Sequence, residues 1–244
     1  MNAIETSGLT KKYKNKTAVD NLTFSVEQGT LFALLGINGA GKTTTLKMLS
    51  CLTMPNSGSA MVAGCSILDN PQGVKAKINV SPQETAVAPN LTVGENLVLI
   101  AGIFGLSPAE AKKKAAEMMS AFGLTPEAKS KAKTLSGGTQ RRLSIAMALI
   151  SRPEILFLDE PTLGLDVLAR RELWKAIEKL KGKVTVILTT HYMEEAEALS
   201  DTIGVMSKGR LAAVGTAEEL IARTHTSSFE DAFIALAGEE EAEV

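Results

Sequence analysis

The fold is decided at Leu31-Phe32-Ala33-Leu34-Leu35-Gly36-Ile37-Asn38-Gly39-Ala40-Gly41-Lys42-Thr43-Thr44. The apolar run Leu31 to Leu35 shows no alternation, which marks a strand buried on both faces of a parallel sheet. From Gly36 the order is G-x-x-x-x-G-K-T, the pattern of a phosphate-binding loop. At a glycine frequency of ~7%, chance produces it in roughly one chain in a hundred of this length. Three physical requirements meet here. Glycine lets backbone wrap closely around an anion. The loop amides and the N-terminus of the following helix turn positive dipole ends toward the phosphates. Lys42 then reaches the β- and γ-phosphates, and the Thr43 hydroxyl ligates Mg²⁺. The helix is expected over Thr43 to Leu52, stopped by Pro55-Asn56-Ser57-Gly58.

Outward from this stretch, Ala3, Ile4, Leu9, Leu22, Phe24 and Val26 alternate with polar residues up to Gln28-Gly29, predicting half-buried antiparallel strands. Ala60 to Ile67 reads as a further strand. From about Glu84 to Ile150 the texture is helical. Ala109 to Phe122 begins after Ser107-Pro108 and stops at Gly123, and a second helix follows Gly137-Gly138. Ile155 to Leu158 and Val184 to Thr189 read as buried strands with a helix, Arg170 to Leu180, between them. Ile203 to Met206 and Leu211 to Val214 form a hairpin around Lys208-Gly209. The expectation is an α/β chain. A parallel core with a β-rich edge takes residues 1–83 and 151–225, a helical insertion takes 84–150, and a C-terminal helix or tail takes 226–244.

Ile155-Leu156-Phe157-Leu158-Asp159-Glu160 is an apolar strand ending in two carboxylates. Burying acids there is costly unless they face a cation or a water to be activated. Asp159 fits the Mg²⁺ shell and Glu160 a general base. Taken alone the stretch is an ordinary strand-to-turn boundary; a phosphate loop in the same chain decides for chemistry. Ser136, in Leu135-Ser136-Gly137-Gly138, is a good helix N-cap. The two glycines also leave a bare, amide-rich helix end that suits a phosphate. Two anion sites beside one magnesium-carboxylate strand suggest that the second serves a neighbour's nucleotide. His191 follows the strand Val184 to Thr189, at the ligand edge of a parallel sheet, and can hydrogen-bond a γ-phosphate. His225, in a polar segment, reads as solvated.

Composition narrows the classes. A net charge of -1 argues against nucleic acid as partner, since such binders are strongly basic. The longest uncharged apolar run, Leu97 to Leu106, falls short of the ~18–20 residues of a spanning helix. Lys11, Lys12 and Lys14 follow a strand-like segment rather than preceding an apolar one, so no signal peptide is expected and the protein is placed in the cytoplasm. Cys51 and Cys65 lack metal or disulfide spacing and read as small buried hydrophobes.

The ordered set of phosphate loop, Gln83, L-S-G-G, I-L-F-L-D-E-P, L-G-L-D and His191 resembles the ABC-transporter ATPase family over nearly the whole chain. The resemblance implies a RecA-like P-loop NTPase core with an antiparallel β subdomain and an inserted α-helical subdomain. It implies ATP and Mg²⁺, with Tyr13 stacking on adenine and Gly36, Ile37, Asn38, Gly39, Ala40, Gly41, Lys42, Thr43 and Thr44 around the phosphates. Thr43, Gln83 and Asp159 would hold the metal, and Glu160, His191, Lys42 and Gln83 would form the catalytic set. Asp166 would lie in the loop crossing between subunits, and Ser136, Gly137 and Gly138 would act on the partner's ATP. The implied partners are a second ABC ATPase subunit, identical or different, and an integral membrane permease that holds the chain at the inner face of the cell membrane. Two positions depart from the usual pattern: Thr139 stands where Gln is common and Leu163 where Ser is.

Asn90 to Leu97 and Phe229 to Phe233 are similar to the branch of drug, polysaccharide and lipid exporters (ABC-2 type). A DNA-repair ATPase of the family would need a long coiled coil between Gln83 and Ser136. That stretch carries one helix-length Lys/Ala/Glu pattern and no sustained heptads. A translation factor would carry two cassettes, and this chain has one. The permease is expected in a groove bordered by Gln83 to Thr92, where Thr85 to Pro89 is small and uncharged. Leu97 to Leu106 is either part of that surface or the insertion's own core.

Overall fold

The amino-terminal alternation folds, in a computed structural model that describes residues 1–238, into β1 (Asn2–Tyr13), β2 (Lys16–Leu22) and β3 (Ser25–Glu27). Next come β4 (Leu31–Leu35), α1 (Lys42–Leu49), β5 (Ser57–Val62), β6 (Cys65–Ser66), α2 (Pro71–Lys77) and β7 (Ile78–Ser81). Three helices then gather, α3 (Val93–Ile103), α4 (Pro108–Ala121) and α5 (Gly137–Ala148). The chain continues through β8 (Ile155–Asp159), α6 (Val167–Glu178), β9 (Thr185–Thr190) and α7 (Met193–Leu199). It closes with β10 (Thr202–Ser207), β11 (Arg210–Gly215), α8 (Ala217–Thr224) and α9 (Phe229–Gly238).

Two sheets result. One runs β11-β10-β4-β9-β8-β7, parallel except for β11. The other runs β2-β1-β5-β6, antiparallel, with β3 also on β1. The α/β class expected from the sequence is what the chain adopts. Every residue of β4, β8 and β9 is buried. Strand alternation divides them between the two faces. Ile155, Phe157, Ile187, Phe32 and Leu34 pack with α1 and the antiparallel sheet, whereas Leu156, Leu158, Val186 and Leu188 pack with the helices α3 to α6. Phe24 stacks on Phe32 at 5.2 Å between ring centres and ties the antiparallel sheet to the core.

Several boundaries differ from the sequence reading. Ala60 to Ile67 is not one strand: Ala63 (φ 48°) and Gly64 (φ 73°) turn the chain back between β5 and β6. Helix α1 ends at Leu49 rather than Leu52, because the Ser50 hydroxyl donates back to the Leu46 carbonyl at 2.8 Å and Cys51 takes a left-handed φ of 55°. α2 and β7 are short and carry no periodicity, and the reading missed both; Asn70 caps α2, accepting from the Gly73 amide at 2.9 Å, with Pro71 at the first helical position. α6 starts at Val167, not Arg170, since the Asp166 carboxylate accepts from the Ala169 amide at 2.9 Å. Cys51 and Cys65 are half-buried rather than core residues, and burial pushes the Cys51 thiol up against the pull of Lys75. Of the expected C-terminal helix or tail, α9 covers Phe229–Gly238, and residues 239–244 lie outside the described part.

α3 begins in a capping box, Thr92 with Glu95, and its inward Asn96 is fully buried. That amide accepts from the Ala88 N–H (2.8 Å) and donates toward the carbonyls of Ala88 (3.1 Å), Leu91 (3.3 Å) and Thr92 (2.9 Å). One side chain therefore shapes the whole segment entering the helical group. Asn96→Ala orphans the Ala88 N–H and is expected to lower the urea-unfolding free energy by about 2–3 kcal/mol, with the m-value unchanged.

Candidate functional site

Parallel pairing decides which loops meet. Leu35 lies opposite Thr190, Asp159 opposite Thr189, and Leu158 opposite Ser81, so β4, β9, β8 and β7 end at one edge. Ligands of open α/β sheets bind at that edge. A cavity of about 520 Å³ opens there, lined by Tyr13, the loop from Asn38 to Thr44, Gln83, Glu160, Leu163 and His191. Gly41 holds φ 102°, and a Cβ on it would sit 2.4 Å from the Ala18 carbonyl oxygen, so both conformation and space demand glycine.

Lys42 is only 5% exposed. Its ammonium donates to the carbonyls of Gly36 (2.7 Å) and Ile37 (3.2 Å) and lies 3.1 Å from Glu160 Oε1. The other carboxylate oxygen of Glu160 is 2.8 Å from His191 Nδ1. Glu160 itself has a left-handed φ of 47°, held by its N–H donating to the Thr189 carbonyl (3.1 Å) and hydroxyl (3.0 Å). A non-glycine residue in that region is uncommon and clusters at functional turns. Behind it the Thr189 hydroxyl donates to Asp159 Oδ1 at 2.6 Å, and the Thr43 hydroxyl donates to the same oxygen at 3.0 Å.

Not every expected site residue gathers here. Ser136, Gly137, Gly138 and Asp166 do not line this cavity. Ser136 caps α5, its hydroxyl 2.9 Å from that of Thr139, so the unusual Thr139 closes on its own helix end. Gly138 packs against α6 so closely that a Cβ would meet the Ala169 methyl at 2.8 Å. Ile37 (59%), Leu163 (42%), Val167 (62%) and Leu168 (76%) are apolar and exposed.

Two buried polar residues escaped the sequence reading. Arg141, 4% exposed, points its guanidinium at the turn after β8. The signal was available: Arg141, Ser144, Ile145 and Ala148 recur at helical spacing, so Arg141 falls on the core stripe. Glu195, fully buried on α7, accepts the Trp174 indole N–H at 3.1 Å. Burial pushes its carboxyl pKa up, and the nearby charge of Glu160 adds to this; the hydroxyls of Thr190 and Thr162 and the Trp174 indole pull the other way. No periodicity announces it, because it sits in an acidic run, Glu194-Glu195-Ala196-Glu197.

A carboxyl whose folded pKa lies above its unfolded value of about 4.3 stabilises the fold below that value, and the contribution is lost as pH rises through the folded pKa. Glu195→Gln keeps an acceptor for the indole and removes the buried charge. The variant is expected to melt near the wild type at pH 5 and above it at pH 8, measured by calorimetry; equal melting temperatures at both pH values contradict this.

The geometry agrees with what the chain is similar to. The family described as ABC transporter matches residues 19–163. The linearmycin resistance ATP-binding protein LnrL of Bacillus subtilis (strain 168) is 43% identical over 221 residues, 90% of this chain and 71% of that one. The daunorubicin/doxorubicin resistance ATP-binding protein DrrA of Streptomyces peucetius is 44% identical over 219 residues, 89% of this chain and 66% of that one. Among solved structures, an ATP-binding subunit of an ABC transporter has a TM-score of 0.84 at 29% identity, over 96% of this chain and 99% of its own. A dimeric ATP-binding cassette in a post-hydrolysis state with ADP and Pi has a TM-score of 0.78 at 28% identity, over 87% of this chain and 98% of its own.

Proposed function

This chain belongs to the ABC transporter family, as an ATP-binding subunit, and from that premise we propose that it hydrolyses ATP in a two-subunit sandwich and so drives a separate membrane permease, of the branch that exports drugs, lipids or polysaccharides. The observation that carries this reading is the contact of Lys42, Glu160 and His191 at the cavity floor. In the reading, the γ-phosphate takes Lys42 from Glu160, which leaves the carboxylate free to accept a proton from water. The water oxygen then bonds to the γ-phosphorus, the β–γ bridging bond breaks, and ADP and phosphate leave. His191 keeps Glu160 aimed through Nδ1–H, and would hold a phosphate oxygen as well only with a proton on Nε2 too. Tyr13, 45% exposed at the cavity wall, offers its ring to the base.

The hydroxyl of Thr43, the carboxylate of Asp159 and the amide oxygen of Gln83 are hard oxygen donors, which suits Mg²⁺. Among the described residues no three His, Cys, Asp or Glu side chains cluster to hold a metal by themselves. That fits an ion held partly by substrate phosphates, whose charge it would neutralise.

Three observations support the partners. The amide-rich end at Ser136 to Gly138 lies outside the chain's own cavity, and the apolar side chains of Leu163, Val167 and Leu168 face water near Asp166. The similar post-hydrolysis cassette is dimeric. Membrane contact in this reading runs through the permease; no helix among the described residues is long and apolar enough to cross a membrane. α3 offers a surface: Leu97 and Ala101 are buried, whereas Leu99 (47%), Ile103 (69%) and the C-cap Phe104 (48%) are exposed. The apolar run is thus half core and half surface.

Glu160→Gln keeps the side chain's size and removes the base. It is expected to bind ATP, accumulate as an ATP-bound dimer on gel filtration, and turn over at least about 10²-fold more slowly; wild-type turnover reassigns Glu160. Ala86→Glu with Ala88→Glu is expected to abolish co-purification with the permease and transport while the isolated subunit stays folded and hydrolyses ATP. Normal co-purification moves the coupling surface elsewhere.

A further inference from the structure

Arg141 spends its guanidinium on main chain alone. Nε donates to the Pro161 carbonyl at 2.7 Å, Nη2 to those of Asp159 (3.0 Å) and Glu160 (2.7 Å), and Nη1 to that of Pro82. Three of these acceptors are successive carbonyls of one turn, the turn that holds Glu160 at φ 47°. The fourth belongs to the residue before Gln83, at the end of the neighbouring strand β7. The donor comes from α5, the helix whose first turn is Ser136-Gly137-Gly138. One planar fork therefore joins three pieces that the sequence separates widely.

We infer that Arg141 is a positioning residue, a tether that fixes the Glu160 turn and the Gln83 segment to α5, so that base and metal-side amide move as one body with the Ser136 helix end. The inference rests on the hydrolytic role proposed above for Glu160 and Gln83. Geometry favours arginine alone for this task. Five N–H groups in a rigid plane can reach four carbonyls, whereas an ammonium is a compact point charge on a flexible stem. The charge is compensated through space by Asp159, Glu195 and Glu160 rather than by a direct ion pair, so no carboxylate of the site is consumed in holding it.

The test uses the full chain with Arg141→Lys, which keeps the charge and loses the fork, and Arg141→Met, which loses both. Amide hydrogen exchange is followed over residues 78–85, which include the paired amides of β7, and 159–165, with fluorescent-ATP titration and steady-state kinetics alongside. In Arg141→Lys, exchange is expected to rise at least about tenfold in both segments while β9 stays unchanged. ATP affinity should remain within about threefold of the wild type, and kcat should fall by about 10²-fold, the effect of misplacing a reacting group by an ångström. Arg141→Met should show the same pattern, more strongly. Unchanged exchange in either segment overturns the tether, as does a kcat within threefold of the wild type. A parallel loss of ATP affinity and kcat also overturns it, since that marks general collapse of the site. If the wild type itself fails to hydrolyse ATP, the hydrolytic reading falls, and the exchange and affinity arms still decide the tether.

Discussion

A carboxylate only 6% exposed must be met by donors, and the burial of Glu160 and its turn draws on three separate pieces of the chain. α1 brings Lys42, the end of β9 brings His191, Thr189 within β9 secures the backbone N–H, and α5 secures the carbonyl. Removing one partner from a buried charge pair costs about 3–5 kcal/mol, because the remaining charge stays uncompensated. The parts cannot be displaced singly. In the function proposed above, an anion entering the loop would satisfy this constraint by exchange, taking the ammonium of Lys42 while His191 remains with the carboxylate.

The parallel sheet follows from the same requirement. Only strands ending side by side deliver a phosphate loop, two carboxylates, a histidine and a glutamine amide to one small volume from residues as far apart as Gly36 and His191. The buried runs of β4, β8 and β9 are therefore platforms whose ends matter more than their middles. The helical group stands against one face of that platform and reaches the chemistry through α5.

Much of this was legible in the sequence, wherever local pattern and tertiary role coincide. Leu31 to Leu35 reads as buried because it is apolar at every position, and Ser136 reads as a helix end because its side chain caps one. What stayed hidden depends on tertiary context. β7 is unremarkable alone and becomes the edge strand of the parallel sheet by lying beside β8. Ala63 adopts a left-handed turn that its residue type does not advertise. Arg141 and Glu195 carry polar groups inside, and composition assigns such residues to the surface until their partners are known. The motif of the loop was plain, yet the hold of its lysine on Glu160 appears only in three dimensions.

The outward face of α3 has a consequence for the chain as a colloid. Leu99, Ile103 and Phe104 present apolar surface to water on a molecule whose formal net charge is -1 and whose pI is about 6.2. Near-zero charge leaves little mutual repulsion to keep such surfaces apart. Any self-association of free copies is expected to be strongest near the isoelectric point, just below neutrality. Covering that apolar surface, or moving the pH away from the isoelectric point, would each reduce the association.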